Sequence, residues 1–238
     1  MSAPTQAKVR NRILSLMPPE DFALLAPDLK PIELPIKFVL VEENRPIDRV
    51  FFPESGIGSV VSTSPEGHKA ESGIFGHEGL SPVAAVLGID RVHKREFMQV
   101  AGEGHVISRQ AFDEALKASL TLRGILNAFA YTMLIQSNFT TLSNAVHPVD
   151  ERLARWLLMC DDRSEGMEIP LTHEFISIML AVRRPSVTTA LHVLEGNGFI
   201  RSERGVVIIR DRKAMERFAH DAYGPPEAEY ERLIGSMR

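Results

Sequence analysis

Residues 171–198 read LTHEFISIMLAVRRPSVTTALHVLEGNG, and the fold of the chain turns on them. Thr172 suits an N-cap, and Glu174 falls in the first turn, where a carboxylate favours the helix dipole. Phe175, Ile176 and Met179 give a short first helix, ending near Leu180, one apolar face. Ala181–Arg184 is then a tight connector. Pro185 fits the N1 position of a second helix, because its missing N–H is one the helix would leave unbonded, and this puts Arg184 at the helix mouth. Val187, Leu191 and Leu194 recur at spacing four and three and point inward. Pro185, Thr189, His192 and Gly196 occupy the opposite face, with Thr188 beside them, and Gly196-Asn197-Gly198 ends the helix. Phe199–Ser202 and Val206–Ile209 read as strands joined by a turn at 203–205. Helix, short turn, helix and hairpin predict a winged helix-turn-helix.

The chemistry of that unit suits duplex DNA. A recognition helix meets base edges with its N-terminal residues, so its outer face should be polar and not bulky. An arginine at its mouth can donate two parallel hydrogen bonds to guanine O6 and N7. Hydroxyls and helix-start amides bind phosphate oxygens. The candidate DNA-contacting residues are Thr172, His173, Arg183, Arg184, Pro185, Ser186, Thr188, Thr189, His192, Arg201 and Arg204. The chain carries a net charge of −4, which taken whole argues against nucleic acid. The window from Arg183 to Arg210, however, holds five arginines against Glu195 and Glu203, a local +3. A focused basic face on an acidic body favours selective over indiscriminate binding.

Upstream, His147-Pro148 interrupts a helical pattern and marks a hinge. Before it, Leu120 to Val146 reads as one long helix with two apolar stripes. Leu122, Leu126, Phe129 and Met133 form one stripe; Ile135, Phe139, Leu142 and Val146 form the other. A helix apolar on two sides must be covered on two sides. The expectation is that the first stripe pairs with a second copy of the chain and the other covers the N-terminal unit. After the hinge, Asp150–Asp161 resumes the helix with Leu153, Trp156, Leu157 and Cys160 on one face, and 162–167 reads as a loop. From Pro31 to Ile107 short β-branched and aromatic runs (38–41, 50–52, 58–61, 97–100) alternate with turn signals, among them Gly102-Glu103-Gly104. Such spacing predicts an antiparallel barrel or sandwich. The expected fold is α+β: a β-roll of jelly-roll type with flanking helices (1–119), a dimerisation helix and hinge (120–147), the winged helix (148–223) and a tail with a short extra helix (224–238).

Composition narrows the class. Hydrophobic residues at 44% and charged residues at 24% are values of a folded globular chain and exclude wholesale disorder. No apolar run approaches the ~18 residues of a membrane span. Residues 1–12 lack a charged-then-apolar signal pattern, and a lone Cys160 points to a reducing cytosol.

Roll, long helix, proline-marked hinge and winged helix together resemble a bacterial Crp/Fnr-type transcription regulator, most sharply from Leu171-Thr172-His173-Glu174-Phe175 through Val182-Arg183-Arg184-Pro185-Ser186-Val187 to Leu194-Glu195. The resemblance implies a homodimer on a near-palindromic operator, with RNA polymerase as a further partner, and places Arg184 on the family's guanine-reading arginine. Pro185 stands where many members carry glutamate, and Thr189 where the cyclic-AMP type carries arginine, so the usual half-site does not transfer. The resemblance also implies a phosphate cassette at Gly76, Glu78 and Gly79. In that register Val92-His93 replaces its arginine-serine pair, which leaves a cyclic nucleotide as the less favoured option; Arg91 or Arg95 could substitute only if the loop shifts. One cysteine cannot hold an iron–sulfur cluster, and a haem resting on His77 or His93 alone is disfavoured, so no cofactor is expected. The rival readings are a small nucleotide- or metal-using enzyme and a dimerisation adaptor. Against the first, His77-Glu78 and His173-Glu174 lack a second histidine at metal-binding spacing, and no phosphate loop, nucleophile elbow or dinucleotide fingerprint is present.

Overall fold

A computed structural model describes residues 3–164, 168–203 and 205–237. Two short helices open it, α1 (Arg12–Leu16) and α2 (Pro19–Leu25), the second begun by Pro19 in its first turn. Strands β1 (Lys30–Leu34), β2 (Val39–Val41), β3 (Arg49–Pro53), β4 (Ile57–Thr63) and β5 (Lys69–Phe75) follow. A single helical turn, α3 (Val83–Val86), leads to β6 (Arg95–Val100) and β7 (Gly102–Ser108). The strands form two antiparallel sheets, in the orders β1-β7-β3 and β2-β6-β4-β5. Val50, Phe51, Phe52 and Ile107 of the first sheet share a core with Val60, Phe75 and Met98 of the second. Pro31 is tolerated in β1 because that strand lies at a sheet edge.

Helix α4 (Arg109–Ala118) leads into the long α5 (Leu120–Val146), whose N-cap Ser119 accepts from Leu122 N–H. The stripe Leu122, Leu126 and Phe129 is wholly buried in the core of the roll, and Met133 packs partly against it. This corrects the expected dimer interface: the first stripe covers the chain's own roll, because Leu122, Leu126 and Phe129 close the apolar core that the two sheets leave open towards α5. The large apolar residues of α5 left in water are Leu120, Tyr131, Leu134, Leu142 and Val146. Gln136 extends the buried face. Its Oε1 accepts from Ile74 N–H at 2.7 Å and its Nε2 donates to Ile74 carbonyl oxygen at 3.2 Å, so a side-chain amide completes the open edge of β5. Gly73 permits that approach, since a Cβ there would lie 2.7 Å from the Gln136 oxygen.

Helix α5 stops at His147, and α6 (Val149–Ser164) begins after Pro148. Helix α6 runs three residues past the expected end. Its acidic end, which reads as a solvated loop, is held by Arg212, whose Nη1 lies 2.5 Å from Asp161 and Nη2 2.7 Å from Asp162. The expected loop residues 165–167 lie outside the described residues. A two-residue strand β8 (Ile169–Pro170), helices α7 (His173–Met179) and α8 (Arg184–Gly196) and strands β9 (Ile200–Glu203) and β10 (Val206–Ile209) build the head. Its sheet order is β8-β10-β9. Helix α9 (Arg212–Ala219) packs on α6, and α10 (Pro225–Leu233) turns back to α5.

The head does not stand apart from the roll. Ile57, Val61 and Ile74 share one apolar cluster with Leu153, Trp156 and Leu157. Trp156 Nε1 donates to Glu71 Oε1 at 2.8 Å, and the rings of Phe97 and Phe175 lie 6.3 Å apart between centroids. The tail closes over the junction: Tyr230 hydroxyl donates to Glu78 carbonyl oxygen at 2.6 Å, and Met237 carbonyl oxygen lies 3.0 Å from His77 Nε2. Among the described residues no single helix is long and apolar enough to cross a membrane.

Candidate nucleic-acid interface

The helix pair forms as its sequence dictates. Thr172 hydroxyl accepts from Phe175 N–H at 3.2 Å and caps α7. Ala181 takes a positive φ of 48° in the connector. Helix α8 starts at Arg184, one residue earlier than Pro185 alone suggests, with the proline in its first turn. Val187, Ala190, Leu191 and Leu194 are buried. Thr172, His173, Arg183, Arg184, Pro185, Thr189 and His192 are exposed, with Ser186 and Thr188 half-buried. Gly198, at φ 74°, ends the helix in the left-handed region that favours glycine. The outer face is therefore short, polar and open.

Its charge is partly spent inside the head. Arg184 Nη2 lies 3.3 Å from Glu174 Oε1, both side chains in water. Arg201 forks onto Glu203, with Nε donating at 2.6 Å. Thr188 Oγ1 sits 3.3 Å from His173 Nδ1, tying the first helix to the second. Arg183 and Arg210 are exposed, while Arg204 lies outside the described residues. Glu174 and Glu203 were not among the predicted site residues; the signal for Glu203 was its position two residues from Arg201 on one strand face. Exposed ion pairs of this kind hold only about 0–1 kcal/mol, so a phosphate or guanine can displace the carboxylate.

The predicted effector residues do not gather around one space. Glu78 is buried against Arg163 of α6, with Nε and Nη2 each 2.8 Å from Oε1. Gly79 serves packing: a Cβ there would lie 2.0 Å from the Phe129 ring. A Cβ on Gly76 would approach the Gly56 carbonyl oxygen to 3.0 Å. Arg91 pairs with Asp90, and Arg95 pairs with Glu42 and lies over Phe97, both outside on the surface. This corrects the phosphate-cradle expectation, because the turn's carboxylate is consumed by a guanidinium from the head. A cavity of about 580 Å³ lies elsewhere, between β4–β6, α3 and α5, with Lys94 and Glu96 as its charged lining. Cys160 is buried, and burial pushes its thiol pKa up, so it is a core residue and no ready nucleophile.

Residues 151–218 match the family described as the Crp-like helix-turn-helix domain. The head is a Crp-like helix-turn-helix domain. Solved structures extend the likeness to the whole architecture. FixK2 from Bradyrhizobium japonicum shares 16% identity over 80% of this chain and 96% of its own, with a TM-score of 0.67. The CRP-family transcriptional regulator TTHB099 from Thermus thermophilus shares 22% over 79% and 96%, at 0.63. The c-di-GMP responsive global regulator CLP from Xanthomonas campestris shares 14% over 81% and 99%, at 0.62. No curated protein sequence matches the chain. The chain thus has the Crp/Fnr regulator fold, and its Crp-like domain presents α8 outward.

Proposed function

We propose that the chain is a sequence-specific, DNA-binding transcription regulator of the cytoplasm and not an enzyme. It works as a homodimer on a near-palindromic operator, with the β-roll as an effector-sensing unit and RNA polymerase as a further partner. The observation that carries this reading is the outer face of α8 in a Crp-like domain, exposed, free of bulk and opened by Arg184. Two such heads related by a two-fold axis would read half-sites about 34 Å apart, one helical turn of DNA. The water-exposed row Tyr131, Leu134 and Leu142 of α5 supports pairing of two copies, since apolar side chains on one long helix gain by leaving water together. Effector occupancy would act by shifting the balance between two settings of the heads.

Selection of binding sites from random DNA tests the reading. Enrichment of a near-palindrome, bound with a steep decline in log affinity against log salt, is the expected result. Enrichment of no motif would refute it. Tyr131→Glu with Leu134→Glu should sediment as a monomer.

A further inference from the structure

The cavity between the roll and α5 has a chemistry of its own. Val60, Phe75, Leu80, Val83 and Met133 give it apolar walls, and its volume of about 580 Å³ is that of a small-molecule site. Strand alternation turns Glu96 and Met98 of β6 inward, and Glu96 is 2% exposed. Its Oε2 accepts from Ser81 Oγ at 2.5 Å. Its Oε1 is buried without a hydrogen bond, and the nearest cation, Lys94 Nζ, stands 3.5 Å away. A buried carboxylate oxygen lacking a donor is costly. Lys94 is the lone cation among the described lining residues and is already opposed by Glu96, so an anion entering here finds no unspent positive charge.

We propose that this cavity binds a largely apolar small molecule that carries a hydrogen-bond-donating head group and no negative charge, the donor satisfying Glu96 Oε1. The inference rests on the β-roll being the effector unit and deepens that reading. It assigns Glu96 to ligand recognition, and it accords with the lack of an unopposed cation for an anionic phosphate. Leu87, Tyr131 and Leu134, all exposed, form the mouth. A ligand filling it therefore touches the helix face proposed for pairing.

Two probes of one skeleton test this on the full chain. N-phenylnaphthylamine is neutral and offers an N–H; anilinonaphthalene sulfonate adds an anion to the same frame. Saturable fluorescence enhancement should favour the neutral probe by roughly tenfold or more, the worth of one unmet charge or hydrogen bond. Ala130→Trp should abolish binding by filling the cavity, and Leu134→Trp, at the exposed mouth where folding is tolerant, should weaken it. Glu96→Gln leaves Lys94 unopposed, so the preference should shrink or reverse. Absence of saturable binding, equal binding of the two probes, displacement by cyclic AMP, binding unaffected by both tryptophans, or a preference unchanged in Glu96→Gln would overturn the proposal. DNA binding to the selected operator is read separately by fluorescence anisotropy. Specific DNA binding without probe binding refutes the ligand class alone, and probe binding without specific DNA binding refutes the regulator reading alone.

Discussion

Arg163→Met breaks the ion pair on which the head rests. Arg163 and Glu78 are 2% and 1% exposed, and the guanidinium meets Glu78 Oε1 through two nitrogens at 2.8 Å. A third nitrogen, Nη1, donates to Met159 carbonyl oxygen at 2.7 Å, so the side chain is fixed before it reaches the carboxylate. Removing the cation strands Glu78, whose Oε2 already lacks a hydrogen bond, in the junction between roll and head. Stranding one member of a buried pair costs about 3–5 kcal/mol, most of it the desolvation of the charge left behind. At a urea dependence of about 2 kcal/mol per molar, the unfolding midpoint should fall by roughly 2 M. Trp156 is the chain's one tryptophan, is buried, and sits on Glu71 at the same interface, so its fluorescence reports the transition directly. Arg163→Met with Glu78→Gln removes both charges and should regain most of the loss, giving a coupling of about 2 kcal/mol or more. If the two single losses simply add, within about 0.5 kcal/mol, the head does not rest on this pair.

Four further outcomes follow from the structure. Burial raises the Glu71 carboxyl from 4.5 to about 8, against the pull of Trp156, Arg155 and Arg163. The folded chain then holds a proton the unfolded chain releases, so stability present below about pH 4.5 is lost as pH rises towards 8; Glu71→Gln should flatten unfolding curves compared at about pH 5.5 and 8. Arg184→Ala should remove roughly 1–3 kcal/mol of discrimination at one base of the operator. Glu174→Ala should instead raise operator affinity a few-fold by freeing Arg184, read by anisotropy. Gly79→Ala drives a methyl into the Phe129 ring and should cost about 1–3 kcal/mol or more in urea unfolding.

The head was legible in sequence because each of its boundaries carries its own local chemistry. Thr172 caps, Pro185 starts, Gly198 stops, and the apolar period of α8 is unbroken. The bounds of α5 were legible for the same reason, but its orientation was not. Two apolar stripes are equal in sequence, and only the roll decides which is covered. Glycine misled in the sheets. The Gly102-Glu103-Gly104 run reads as a turn signal, yet it belongs to β7. A Cβ on Gly102 would lie 2.1 Å from Ser55 carbonyl oxygen, and one on Gly104 2.4 Å from that of Phe52, so these glycines mark close backbone approach within a sheet. The effector turn failed for a related reason. The partner of Glu78 lies 85 positions away on α6, and no local pattern announces it.

The chain enters and leaves the head side by side. His147, where the chain enters the head, lies 3.0 Å through Nε2 from Oδ1 of Asp221, where it leaves. Beyond Asp221 the chain returns to bury Tyr230 and Met237 in the core of the roll. Topologically the head is thus an insertion into the β-roll unit, with both ends of the insert at one point, where domain insertion is well tolerated. Bridging residues 147 and 222 with a short flexible linker would excise the head and keep the tail in the chain, but would leave Glu78 without Arg163 and uncover Ile57, Val61 and Ile74. Cutting the chain at the hinge would instead remove part of the roll's own core.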